Sequence, residues 1–181
     1  MARNIEIKAR IPSVAALEPV AAAIANEGPV ELTQDDTFFS CPSGRLKLRA
    51  FSSTEGELIF YRRNDERGPK ESYYVRSTTT EPDTLREVLT LSYGEVGRVR
   101  KRRTLYLAGR TRIHLDQVEG LGDFLELEVV LREGESAEAG AREAEELMAR
   151  LGISASQLID RAYIDLLAGS RMPDMKAPLS L

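Results

Sequence analysis

The sequence predicts an α+β fold in which eight antiparallel strands close into a β-barrel and helices pack on its outer surface. Three observations lead there. Eight short segments alternate charged or polar with apolar residues, the signature of a strand with two unlike faces. Helical segments between them carry apolar faces that need a partner, and the apolar face of the sheet is the surface that can cover them. The charged strand faces carry both signs and are then left to turn inward. At 181 residues, 42% hydrophobic and 30% charged, the chain can bury one substantial core but is short for two. Residues 1–168 therefore read as one domain and 169–181 as a flexible tail.

The first strand is Asn4-Ile5-Glu6-Ile7-Lys8-Ala9-Arg10-Ile11, which puts Asn4, Glu6, Lys8 and Arg10 on one face and the aliphatic residues on the other. Pro12-Ser13 opens an Ala-rich helix, Val14 to Glu27, stopped by Gly28-Pro29. Strands follow at Gln34 to Ser40 and Arg45 to Phe51, joined by the turn Pro42-Ser43-Gly44. Leu58 to Arg63 and Ser72 to Ser77 form the next pair across Asp65 to Lys70. A helix covers Glu81 to Ser92. Val96 to Ala108, Arg112 to Val118 and Phe124 to Arg132 are the last strands; Ser136 to Leu151 is an amphipathic helix ended by Gly152, and Ser156 to Leu167 a closing helix.

Alternating strands normally turn their charged face to water. Here the helices need the apolar face, and a barrel of about eight strands has a lumen wide enough for one small ligand. Unpaired ions removed from water cost several kcal/mol each, so such a lumen calls for a highly charged ligand. The cationic candidates are Lys8, Lys47, Arg49, Arg62, Lys101, Arg103 and Arg112; the acidic ones are Glu6, Asp116, Glu126 and Glu128. Arginine and lysine suit phosphate oxygens, and clustered carboxylates offer hard ligands to Mg²⁺ or Mn²⁺. Glu126 and Glu128 share a strand face about 7 Å apart, a spacing that flanks a metal but that solvent-facing glutamates show equally. In Arg98 to Arg103 only alternate residues can reach the lumen; we assign Lys101 and Arg103, with a solvated basic strand as the competing reading. His114 shares a face with Arg112 and Asp116, where it could orient a carboxylate or phosphate or act as a hydrogen-bonded structural histidine.

Other classes are disfavoured. One cysteine, Cys41, leaves no intramolecular disulfide and no Cys-based metal motif. No apolar run approaches a membrane span and the amino terminus lacks a signal-peptide core, so no membrane partner and a cytoplasmic location are expected. A net charge of −4 argues against a nucleic-acid coat, although Arg98 to Arg103 keep a surface nucleic-acid binder as a third reading. Gly120-Leu121-Gly122 sits in a hairpin, without the strand-then-helix context of a dinucleotide fingerprint.

Taken together, Asn4-Ile5-Glu6-Ile7-Lys8, Leu46-Lys47-Leu48-Arg49, Lys101-Arg102-Arg103, Arg112-Ile113-His114-Leu115-Asp116 and Glu126-Leu127-Glu128 resemble, in order and across about residues 3–168, the CYTH family of triphosphate tunnel metalloenzymes. The resemblance implies an eight-stranded tunnel, a Mg²⁺ or Mn²⁺ cofactor and a triphosphate-bearing ligand such as ATP, thiamine triphosphate or inorganic triphosphate. Carried over by position, Glu6, Glu126 and Glu128 would hold metal, with Asp116 supporting them or sharing a second ion. Lys8, Lys47, Arg49, Lys101, Arg103 and Arg112 would hold phosphates, with Lys8, Arg49 and Arg103 as the catalytic groups. Arg62, Lys70 and Arg161 are weaker assignments. The family's opening Glu-x-Glu-x-Lys has Asn4 at its first position here, which removes one negative charge from the metal site. The expected activity is that of a class IV adenylate cyclase or a triphosphatase; a non-catalytic polyphosphate- or nucleotide-binding module is the alternative. The sequence leaves a homodimer open.

Overall fold

The computed structural model describes residues 2–63 and 67–170. Its strands are β1 (Ala2–Arg10), β2 (Glu27–Phe39), β3 (Arg45–Ala50), β4 (Gly56–Arg63), β5 (Lys70–Thr79), β6 (Glu95–Ala108), β7 (Thr111–Val118) and β8 (Gly122–Val130), and its helices α1 (Val14–Ile24), α2 (Pro82–Tyr93), α3 (Ala137–Arg150) and α4 (Tyr163–Ser170), with one 3₁₀ turn at Ala155–Gln157. Every strand pairs antiparallel, and the ring closes in the order β1-β5-β4-β3-β2-β6-β7-β8. Closure leaves no sheet edge among these strands, so the backbone polar groups of the ring find partners without outside help.

The helices lie on the outer face, as the apolar stripes require. Ile5, Ile7, Ala9, Ile113, Leu115, Leu125, Leu127 and Val129 form one buried cluster with Val14 and Ala21 of α1 and Ala144 and Leu147 of α3. Both helices begin at a serine whose Oγ accepts an amide, Ser13 from Ala16 and Ser136 from Ala139. Gly140 lets α3 settle onto the sheet: a Cβ there would lie 2.6 Å from Leu131 Cδ2 and 2.8 Å from Ile5 Cγ1. On the other side α2 presses Leu85 and Leu89 against Phe39, Leu46, Leu48 and Leu58.

Two elements differ from expectation. The first helix ends at Ile24, and β2 begins at Glu27 instead of Gln34. The 14-residue β6 is the cause, because it supplies a template on which Glu27 pairs with Leu107 and Val30 with Leu105, and Asn26 locks the corner by donating to Leu107 O and accepting from Gly109 N. The expected closing helix is also broken. Leu158 bridges to Ala9 and Ile159 N donates to Lys8 O, which draws Leu158 and Ile159 into strand-like pairing with β1 before α4 starts at Tyr163. Asp165 then caps that start by accepting from Ala162 N at 3.3 Å. Of the expected tail, Gly169 and Ser170 belong to α4, and residues 171–181 lie outside the described residues, as do residues 64–66 of the turn between β4 and β5. No described helix is long and apolar enough to cross a membrane.

Candidate functional site

The ring encloses a cavity of about 320 Å³. Strand alternation decides its lining. With Ile5 and Ile7 committed to the outer core, Asn4, Glu6 and Lys8 point inward; the same parity turns Gln34 and Asp36, Lys47 and Arg49, Lys101 and Arg103, Arg112 and His114, and Glu126 and Glu128 into the lumen. Among described residues the cavity lining holds seven basic side chains (Lys8, Lys47, Arg49, Arg76, Lys101, Arg103, Arg112) against five carboxylates (Glu6, Asp36, Glu57, Glu126, Glu128), with Asp116 and Lys70 buried beside it.

Closure sorts these charges by wall. Glu6 stands directly opposite Glu128 across β1 and β8, with Lys8 opposite Glu126, so one carboxylate oxygen from each of Glu6, Glu126 and Glu128 falls within 4.8 Å of the others. Strand β3 lies four places round the ring from β8, and it presents Lys47 and Arg49 across the lumen. Both are held by Asp36 of β2, which accepts from Lys47 Nζ at 3.1 Å and from Arg49 Nε and Nη2 at 2.7 Å each. On β6, Arg103 makes a bidentate pair with Asp116 (2.6 and 2.7 Å) and reaches Glu126 at 3.1 Å; Lys101 Nζ lies 3.6 Å from Asp116. Arg112 is half-buried and 3.3 Å from Glu128.

These pairings set the ionisation states. Burial would raise the Asp36 carboxyl, but Arg49 and Lys47 hold it far below the usual range; Arg103 and Lys101 do the same to buried Asp116. Glu126 is likewise pulled well below its ordinary value, with Lys8 and Arg103 outweighing burial. Lys101 runs the other way. Burial and the neighbouring Arg103 charge bring its ammonium down to about 7. His114, buried and beside Arg103, falls to about 4 and is neutral at pH 7. Its Nδ1 makes no hydrogen bond and lies 3.9 Å from Glu128 Oε1, so a hydrogen-bonded structural role at that atom is not what the structure shows.

Three carboxylates within reach of one ion are the hard-oxygen set a divalent cation takes. Asn4 adds to the fit: its Oδ1 is buried without a hydrogen-bond partner on the same inward face as Glu6. Glu6, Glu126 and Glu128 are thus the residues that could hold a metal. Asp116 lies outside that cluster, its oxygens accepting from Arg103 and Tyr163.

Arg62 requires a correction. It is exposed on the outside of the ring, donates to Ser43 O at 2.6 Å and lies over Phe60. The segment Leu58-Ile59-Phe60-Tyr61-Arg62 is apolar in both phases; because Leu58 packs under α2, Arg62 follows it outward, and Glu57, Ile59 and Tyr61 line the cavity instead. Arg161 is exposed, and Lys70 is buried with its Nζ donating to Asp160 O at 3.1 Å. Arg98 and Arg100 face outward, where both meet Asp35.

Sequence reasoning missed Asp36, although Gln34, Asp36 and Phe38 share one parity and that signal was available. It also missed Tyr163, whose ring enters the cavity from α4. At that end Phe38, Val99, Val118 and Phe124 pack with Ala162, Tyr163 and Ile164. Leu32, Phe51, Leu105, Tyr74, Arg76 and Glu57, toward the opposite ends of their strands, give the other end a lining that mixes apolar and aromatic residues with one charge of each sign.

Comparison with known proteins agrees with this architecture. Adenylate cyclase CyaB of Aeromonas hydrophila is 28% identical over 170 residues, 88% of this chain and 86% of that protein. A protein of Pyrococcus horikoshii has the same fold, with a TM-score of 0.80 at 24% identity over 90% of this chain and 98% of its own. A candidate adenylyl cyclase from Hippeastrum, described as revealing a dominant triphosphatase activity, matches with a TM-score of 0.65 at 15% identity, covering 96% of this chain and 98% of its own. A match to the CYTH domain spans residues 2–163, so the closed ring, its helix-covered outside and its charged lumen are those of a protein that belongs to the CYTH domain family.

Proposed function

We propose that the protein is a metal-assisted enzyme acting on an organic triphosphate, with conversion of ATP to cyclic AMP and pyrophosphate as the reading that the named cyclase relative favours. The observation that carries the proposal is the division of the lumen: three clustered carboxylates on β1 and β8 face a bank of lysines and arginines on β3 and β6. The excess of basic side chains over carboxylates in the lining leaves the walls positive. A divalent ion added to that gives a lumen suited to a triphosphate and poorly suited to a neutral ligand.

Glu6, Glu126 and Glu128 would hold the ion, Mg²⁺ or Mn²⁺ by their hard-oxygen chemistry, and its contribution when bound is charge neutralisation on phosphate oxygens. The chain's own groups do the rest. Lys8, Lys47, Arg49, Lys101 and Arg103 hold the phosphate chain extended, and the guanidiniums stabilise negative charge that grows on the leaving oxygens. His114, neutral and with Nδ1 free of a hydrogen bond 3.9 Å from Glu128 Oε1, could orient that carboxylate or a phosphate. Leu32, Phe51, Leu105 and Tyr74, at the end away from Tyr163, offer apolar and aromatic surface to an organic head and favour it over bare inorganic triphosphate as the substrate. Whether the attacking hydroxyl is a ribose 3′-OH on the α-phosphorus or water on the terminal phosphorus is a matter of positioning, and the same walls serve hydrolysis as the second reading.

Glu126→Gln tests the assignment. It keeps the shape of the wall and removes one ligand charge, so turnover of ATP with Mn²⁺ should drop at least about a hundredfold, while nucleotide still binds within about tenfold of the unaltered protein. Unchanged turnover would contradict the metal assignment. Binding without turnover in the unaltered protein would mark a binding module.

A further inference from the structure

Tyr163 is a side chain of the C-terminal helix, yet it sits among groups of four different strands. Its hydroxyl donates to Asp116 Oδ2 on β7 at 2.8 Å, and both residues are buried. Its ring lies under two ammonium groups: Lys8 Nζ of β1 is 3.9 Å from the ring centroid and Lys101 Nζ of β6 is 5.0 Å away. Its edge packs on Phe124 of β8, centroid to centroid 4.9 Å. Through Asp116 the hydroxyl also touches the bidentate partner of Arg103, which itself reaches Glu126.

The helix that delivers this ring is fixed independently of it. Asp165 takes two hydrogen bonds from Arg45 of β3, at 3.1 and 2.7 Å. Lys70 of β5 donates to Asp160 O, and Ile159 N donates to Lys8 O. Gly97 makes room for Ile164, whose Cδ1 would be 2.6 Å from a Cβ placed there. So α4 is tied to the ring by contacts that survive a change at Tyr163. What Tyr163 adds is a polarisable face on which two buried ammonium groups rest, in a dry setting where such contacts are stronger than at the surface.

We propose that Tyr163 is a positioning residue for the anion site: its ring sets the places of Lys8 and Lys101, while its hydroxyl adds one more donor to the Asp116 carboxylate that Arg103 already holds. The C-terminal helix is thereby part of the phosphate-binding apparatus and not only a cover for one end of the ring. The inference rests on the reading of the lumen as a triphosphate site.

The test compares Tyr163→Phe, which keeps the ring and loses the hydroxyl, with Tyr163→Leu, which fills similar space without a π-face. Inorganic triphosphate binding is measured by calorimetry without metal, and the Lys8 ε-methylene proton shifts by NMR. In the unaltered protein those protons should be displaced upfield by the ring current. Tyr163→Phe should keep that displacement and bind within about threefold of the unaltered protein, whereas Tyr163→Leu should lose the displacement and about tenfold in affinity. Unchanged affinity in Tyr163→Leu overturns the inference and leaves the functional reading standing. Should Tyr163→Leu not fold, the unaltered protein decides: Lys8 protons at ordinary shifts overturn the inference. An unaltered protein that binds neither inorganic triphosphate nor ATP, with or without Mn²⁺, overturns the functional reading, and this inference with it.

Discussion

At the scale of single residues the lumen is a set of charges that constrain one another, and Lys101 is the one whose state is most easily moved. Its ammonium is held down to about 7 by burial and by Arg103, against an ordinary value near 10.4. A bound polyphosphate supplies the missing counter-charge and raises that value, so binding near neutrality takes up a proton. The sign follows: affinity for inorganic triphosphate should be highest below pH 7 and should weaken, by up to about tenfold per pH unit, as pH rises beyond it. Calorimetry in buffers of different ionisation enthalpy measures the uptake, and Lys101→Met should abolish it. In the free protein the same depressed value makes folding more favourable as pH rises from about 7 towards 10.5, because over that window the unfolded chain binds the extra proton.

Arg49 and Arg62 make the paired comparison. Both were legible as basic residues on strands, and only parity separates them. Arg49 faces the lumen and shares Asp36 with Lys47, while Arg62 lies outside against Ser43 and Phe60. Arg49→Ala should weaken triphosphate binding by about ten- to a hundredfold, the range for hydrogen bonds to a charged partner, and Arg62→Ala should change it by less than about twofold. Equal effects in a direct titration would mean that the lumen is not where the anion binds.

At the scale of elements, strands whose apolar phase is single were readable: β1, β3, β7 and β8 each alternate cleanly, and each turns its charged set into the lumen. The phase of β4 was not, since Leu58 and Phe60 on one side and Ile59 and Tyr61 on the other are both apolar, and only α2 packing on Leu58 chooses between them. The early start of β2 was hidden for a related reason. Nothing within residues 27–33 announces a strand as strongly as the length of β6, which lies more than sixty residues downstream, offers one. Gly28 is the joint of that added stretch. Its φ is +109°, and a Cβ would lie 2.7 Å from Leu105 O and 3.1 Å from Tyr106 Cα, backbone atoms that cannot step aside. Gly28→Ala should cost about 2 kcal/mol, a Tm lower by roughly 4–8 °C. Gly109→Ala, at a φ of +61° with nothing within 4 Å, should cost about half as much. A thermal melt that ranks the two the other way would place the strain elsewhere.

At the scale of the whole molecule, closure is what converts eight ordinary alternating strands into a site. Glu6, Glu126 and Glu128 come from strands separated by more than a hundred residues, and they meet only because β8 returns to pair with β1. The individual strands disclose which residues can face inward. They do not disclose who faces whom across the chain, and Tyr163 went unrecognised for that reason, since it gains meaning from Asp116 at a separation of 47 residues; Asp36, which holds Lys47 and Arg49 of the next strand, was within reach of parity alone. The same closure brings a carboxylate cluster and a set of cations into one lumen, which is what a metal and a phosphate chain need together.

The measurement that bears most directly on this account is phosphorus NMR of products after incubation with ATP, thiamine triphosphate and inorganic triphosphate in turn, each with and without Mg²⁺ or Mn²⁺. The account predicts metal-dependent cleavage of an organic triphosphate, with pyrophosphate and cyclic AMP from ATP, and loss of cleavage in Glu126→Gln. Cleavage that proceeds equally without metal and in that variant, or no cleavage of any of the three, would contradict it.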